Sequence, residues 1–192
     1  MELILASASP RRRELLTTAG FEYTVEAADI NESVFETDDP LNDVEQLAKA
    51  KATAIAVLHP SCVVLGADTV VVLDGKALGK PADKDDAAKM LRSLSGRIHH
   101  VYTGVCAVCN SKATSFVSKT EVEFYELTDE EIEAYIATNE PMDKAGSYGI
   151  QGIGCTLVKR INGDYFTVVG LPVAQTARLL TQLGVERKLR NF

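Results

Sequence analysis

Three consecutive arginines, Arg11, Arg12 and Arg13, follow Ser9-Pro10 just after a short apolar run. Ser9 is a good N-cap and Pro10 suits the first helical position, so the arginines fall in the opening turn of a helix. That end of a helix carries about half a positive charge and favours acidic side chains. Cations there are locally unfavourable unless an anion lies between them and the open backbone N–H groups. The alternative is a solvated face whose arginines turn away from the dipole. Ser7 and Ser9 add hydroxyls at the same turn. The chemistry this pattern suits is the binding of an anion.

A second candidate is Asp68, set in the apolar run Val63-Val64-Leu65-Gly66-Ala67-Asp68-Thr69-Val70-Val71-Val72. A carboxylate in such surroundings costs several kcal/mol unless it is paired, bound to metal or opened to a cleft. The small Gly66 and Ala67 leave room for such an opening. Ionised, the group could hold a divalent cation or take a proton from water. The plainer alternative is an aspartate at a strand edge or bulge, facing solvent.

Lys51, Lys80 and Lys144 stand beside small or rigid residues and are candidate point charges, although most surface lysines do nothing specific. Glu32 is one acid among many. Gly146-Ser147-Tyr148-Gly149-Ile150-Gln151-Gly152-Ile153-Gly154 reads equally as a ligand-wrapping loop or a connector. It lacks the strand–turn–helix context of a dinucleotide fingerprint, and neither a P-loop nor a nucleophile elbow occurs. Cys106 and Cys109 have CxxC spacing, but in an alternating strand they face opposite sides. Cys62 and Cys155 stand alone, so reduced thiols are expected. His59, His99 and His100 have no HExxH context.

The elements that must position these groups follow from period and punctuation. Strands are predicted at Leu3 to Ala6, Tyr23 to Ala28, Cys62 to Leu73, Val101 to Val108 and Phe116 to Phe124. Asp74-Gly75 reads as a hairpin turn, as does Asn162-Gly163 between strands at Leu157 to Ile161 and Tyr165 to Val169. Helices are predicted from Pro10 to Gly20, Asp43 to Val57 and Asp83 to Leu94. Another opens with a capping box at Thr128 and Glu131 and runs to about Thr138, and a last one runs from Pro172 through Leu183 into a basic tail. The sum is a mixed α/β chain with a twisted, part-antiparallel sheet.

The 192 residues are 46% hydrophobic and 24% charged, the balance of a globular protein with a sizeable core. Lys plus Arg number 20 against 27 Asp plus Glu, a net charge of −7. An acidic chain is ill suited to coating a nucleic-acid backbone, which calls for a broad basic face. No apolar run approaches the roughly 20 residues that span a bilayer. The start, MELILASASPRRR, places its apolar stretch before its basic cluster, the reverse of a secretory signal, so a cytoplasmic location is expected. No composition shift marks a domain boundary.

Taken in order, Ser7-Ala8-Ser9-Pro10-Arg11-Arg12, Gly66-Ala67-Asp68-Thr69, Gly79-Lys80-Pro81, Asp143-Lys144-Ala145-Gly146 and Tyr148-Gly149-Ile150-Gln151-Gly152 resemble the Maf family of nucleoside triphosphate pyrophosphatases. The resemblance covers essentially the whole chain; Ser147 departs from an alanine common in the family. It implies one domain over residues 1–192, a mixed twisted α/β sheet in two lobes with a central cleft, similar to inosine triphosphate pyrophosphatases. It also implies a divalent metal (Mg or Mn), a homodimer, no nucleic-acid or membrane partner, and hydrolysis to monophosphate and pyrophosphate. Asp68 corresponds to the family's proton acceptor, and Ser7, Arg11, Glu32, Lys51, Lys80 and Lys144 to its polar pocket positions. Asp68 and Glu32 are the implied metal ligands. Arg12, Thr69 and Gln151 match the residues that mark the branch acting on dTTP and UTP. The implied alternatives are clearance of non-standard pyrimidine nucleotides, and a nucleotide-binding regulator of septum formation that needs no turnover.

Overall fold

The structure, a computed structural model, describes residues 1–35 and 37–188; the end of the basic tail, 189–192, lies outside them. Seven strands alternate with helices along the chain: β1 (Leu3–Leu5), α1 (Pro10–Thr18), β2 (Thr24–Val25), α2 (Pro40–Ala56), β3 (Val63–Leu73), β4 (Lys76–Leu78), α3 (Lys84–Leu94), β5 (Ile98–Cys109), β6 (Lys112–Phe124), α4 (Asp129–Ala137), β7 (Val158–Asn162), α5 (Tyr165–Val169) and α6 (Val173–Gln182). The strand order is β2-β1-β3-β5-β6-β7, with β4 paired to β3. β1 is parallel to both β2 and β3, whereas β3–β4 and β6–β7 are antiparallel. This is the mixed sheet that the pattern of strands and hairpins predicts.

The chain divides into two compact units, one built from Met1–Asp68, Thr103–Ser118 and the segment from Gly170 onward, the other from Thr69–Tyr102 and Lys119–Val169. In the first, α2 buries Val44, Leu47, Ala48, Ala52 and Ile55 at helical spacing. Ile4, Ala6, Val64, Cys106 and Val108 pack in the same core as Ala48, Ala52 and Ile55. Asp39 caps α2 by accepting from Asn42 N, and Pro40 occupies its first turn. Gly66 and Gly104 set how near α2 can come. A Cβ on Gly66 would overlap the Ala48 carbonyl oxygen, and one on Gly104 the Val44 carbonyl oxygen. Burial pushes the Cys106 thiol up to about 11, consistent with an inert core cysteine.

In the second unit, Leu91, Leu94, Val101, Val122, Phe124, Ile132 and Tyr148 form the core. His99 lies inside it, edge-on to Phe124 and Tyr148 at 5.0 and 5.3 Å between ring centroids. The capping box at Thr128 and Glu131 is formed as the spacing predicts. The hairpins at Asp74-Gly75 and Asn110-Ser111 turn through positive φ at both central residues, which matches the twist of the strands they join.

Two expectations are corrected. Tyr165 to Val169 is a helical turn, α5, not a strand. Its β-favouring residues are overridden by Asp164, whose carboxylate accepts from Phe166 N at 3.2 Å and from Thr167 Oγ1 at 3.1 Å. That is local side-chain capping of a helix start, so Asn162-Gly163 joins a strand to a helix rather than two strands. The strand expected over Tyr23 to Ala28 is reduced to Thr24–Val25, both exposed.

Candidate active site

Ser7, Ser9, Arg11, Arg12, Glu32, Lys51 and Asp68, all singled out from the sequence, belong to the first unit. Ser9 caps α1, its hydroxyl facing Arg12 N at 3.5 Å. The first turn of α1 contains no acidic residue, so no side chain of that turn offsets the positive end of its dipole. Arg12 folds back over this turn. Its Nε donates to the Gly170 carbonyl at 2.8 Å and its Nη1 to Ser7 Oγ at 3.1 Å. Ser7 Oγ also accepts from Ser9 N at 3.3 Å, so the hydroxyl ties the strand end to the guanidinium. Burial draws the Arg12 guanidinium below its ordinary value; Asp68 opposes that shift, Arg11 adds to it and Glu32 opposes it again. Arg12 therefore lies within the field of Asp68, Arg11 and Glu32.

Lys51, on α2, is the centre of the negative side. Its Nζ lies 2.8 Å from Asp68 Oδ1 and 2.8 Å from Glu32 Oε1. The lysine side chain is 12% exposed and Asp68 19%, against 58% for Glu32. An ammonium so nearly buried requires its partners, and the contact fixes where the Asp68 carboxylate points. Asp68 is thus neither an edge-strand aspartate nor an isolated buried charge.

Whether these residues suit a divalent cation is a question of donor chemistry. Among the described residues, no cluster of three or more His, Cys, Asp and Glu forms a ready metal cage. Asp68 and Glu32 nevertheless offer two hard oxygen donors around one lysine. Magnesium is ordinarily held by one or two carboxylates, with phosphate oxygens and waters completing its shell. The residues fit that mode of binding.

In the second unit, Thr69 continues β3 directly after Asp68 and Lys80 is exposed beyond β4. Gly146 N donates to the Gly79 carbonyl at 2.9 Å, which ties the Lys80 block to the Lys144 block. Gly146 has φ +66°, and a Cβ there would meet Val71, so only glycine fits. Lys144 Nζ donates to the Glu140 carbonyl at 2.5 Å and lies 2.6 Å from Asp143 Oδ1. Gln151 is half-buried and precedes a 3-10 segment, Gly152–Leu157, without capping it through its side chain.

One residue escapes the sequence reading altogether. Glu140 Oε1 accepts from Tyr135 Oη and Gly154 N, both at 3.0 Å, and Oε2 accepts from Ile153 N at 2.9 Å. Desolvation works to raise its carboxyl, but these backbone and tyrosine donors, with Lys144, hold it below the ordinary value. Its sequence neighbours, Asn139 and Pro141, give no hint of this hub.

The family model described as Maf-like protein matches residues 2–183. The dTTP/UTP pyrophosphatase of Bacillus pumilus is 52% identical over 184 residues, covering 96% of this chain and 97% of that one. The Geobacillus dTTP/UTP pyrophosphatase is also 52% identical, over 95% of this chain and 98% of its own. That of Bacillus anthracis is 47% identical over 96% and 97%. Among solved structures, the Staphylococcus aureus Ham1 protein superposes with a TM-score of 0.52 at 14% identity, over 82% of this chain and 80% of that one, a likeness of fold.

Proposed function

Because the chain belongs to the Maf family, we propose that it hydrolyses dTTP and UTP to the nucleoside monophosphate and pyrophosphate. The observation that carries the chemistry is Asp68 held by Lys51 within the field of Arg12.

A triphosphate brings up to four negative charges, and the reaction needs one oriented water. The positive end of the α1 dipole, with Arg11 and Arg12, supplies fixed positive charge for the phosphate chain. Arg12 is held in place by Ser7 and Gly170, so little rotamer freedom is lost when the anion arrives. Asp68 orients the water and accepts its proton as the water oxygen bonds to the α-phosphorus; the bond from that phosphorus to the bridging oxygen breaks and pyrophosphate leaves. Lys51 keeps the carboxylate aimed and offsets charge gathered there. A divalent cation, held by Asp68 and Glu32, would supply neutralisation at the phosphate oxygens. Lys80 and Lys144 add point charges. Thr69, Gln151 and Arg12 select the pyrimidine, since polar groups left unpaired by the wrong base disfavour it. A homodimer and a cytoplasmic setting belong to the same reading.

The test is a panel of nucleoside triphosphates with Mg²⁺ or Mn²⁺ and chromatographic resolution of products. Pyrophosphate with dTMP or UMP is expected, with dTTP and UTP preferred. Orthophosphate with a diphosphate, or equal rates for purine substrates, would overturn the reading.

A further inference from the structure

The glycine-rich stretch around Gln151 is braced rather than loose, and the braces come from two side chains outside it. The Tyr135 hydroxyl accepts from Gly149 N at 3.1 Å and donates to Glu140 Oε1 at 3.0 Å. Glu140 in turn accepts from Ile153 N and Gly154 N at 2.9 and 3.0 Å. One buried tyrosine and one carboxylate therefore fix the backbone two residues before Gln151 and two and three residues after it. The glycines are the complement of this bracket. A Cβ on Gly152, where φ is +67°, would lie 2.6 Å from Glu140 Oε2, and a Cβ on Gly154 would overlap the Gly149 carbonyl oxygen and lie 2.7 Å from the Tyr135 hydroxyl. Glu140 fills the space at Gly152, and the Gly149 carbonyl together with Tyr135 fills it at Gly154.

We infer that Glu140 is a positioning residue for Gln151, holding with Tyr135 the turn that presents the Gln151 amide. The inference rests on the proposed role of Gln151 in base selection. A selecting amide works only if its direction is fixed, because a side chain free to swing satisfies the wrong base as readily as the right one. Backbone N–H groups donating to an ionised carboxylate are among the stronger hydrogen bonds available for that purpose.

The experiment measures kcat/KM for dTTP, UTP, dCTP and dGTP, with thermal melting, on Glu140→Gln, Tyr135→Phe, Gln151→Ala and the double variant Glu140→Gln/Gln151→Ala. Glu140→Gln keeps the shape but turns an amide donor toward a backbone donor, and Tyr135→Phe removes the other brace. Each is expected to lower the preference for dTTP over dCTP about tenfold, roughly the worth of one such bond. The double variant is expected to be no less selective than Gln151→Ala alone, because a disordered turn has no amide left to misplace. Equal losses for all four nucleotides in both brace variants, or additive losses of selectivity in the double variant, overturn the inference while leaving the proposed function standing. If Gln151→Ala itself keeps full selectivity, the base-selecting role fails, and the positioning role with it.

Discussion

Gly66 on β3 lies directly against Ala48 on α2, so close that a Cβ would overlap the Ala48 carbonyl oxygen and crowd Ala52 N at 2.7 Å. This approach brings Lys51, one turn further along α2, onto Asp68, two residues further along β3. Structural closeness and charge pairing are one feature of the chain. Gly66→Ala should therefore destabilise the protein by about 1–3 kcal/mol, as overpacking against backbone does, and should lower activity by parting Lys51 from Asp68. Urea denaturation reads the first and dTTP turnover the second. A variant with wild-type values of both would mean that α2 can shift without consequence.

Arg12 uses the fork of its guanidinium, with Nε on Gly170 O and Nη1 on Ser7 Oγ. A lysine retains the charge but reaches only one of these at a time. Arg12→Lys is expected to raise KM for dTTP at least tenfold and to lower stability by about 1 kcal/mol, the worth of one hydrogen bond. Unchanged KM would show that charge alone suffices.

How much of this was legible in the sequence varies with the range of the interaction. The arginines at a helix start contradict a local rule, and a contradiction within four residues can be read off directly; so can an aspartate within an apolar strand. Lys51 is different. It is 17 residues from Asp68, and nothing local distinguishes it from other helical lysines; only the α2–β3 packing joins them. Glu140 lies further from legibility, since its partners are the N–H groups of glycine and isoleucine, which have no sequence signature. The glycine-rich stretch could be read as loop or connector because composition reports conformational freedom and not what occupies the space. At Tyr165 to Val169, β-propensity pointed to a strand, whereas Asp164, one residue upstream, imposed a helical turn.

His99 offers a test independent of catalysis. Its side chain is 1% exposed, its Nε2 pairs with Tyr148 Oη at 2.7 Å, and among the described residues nothing hydrogen-bonds Nδ1. Burial, with a smaller contribution from His100, pushes its pKa down to about 4. Between that value and about 6.5 the unfolded chain binds a proton that the folded chain refuses, so stability falls as pH falls through this window. From pH 6.5 to 5 the loss amounts to about 2 kcal/mol, at about 1.4 kcal/mol per pH unit. His99→Gln, which does not titrate, should remove that slope while leaving the slope below pH 4 to the carboxylates. Urea midpoints at pH 7 and 5 decide it; equal slopes in variant and wild type would exclude His99 as the source.

The account turns on one carboxylate, and Asp68→Asn examines it with little change of shape. The amide can still accept from Lys51, but it cannot take a proton from water. Single-turnover hydrolysis of dTTP should slow by about 10²–10⁴-fold, the usual worth of a positioned base, while dTTP binding measured by calorimetry weakens less than tenfold. Hydrolysis within tenfold of wild type, with binding intact, would contradict the role given to Asp68.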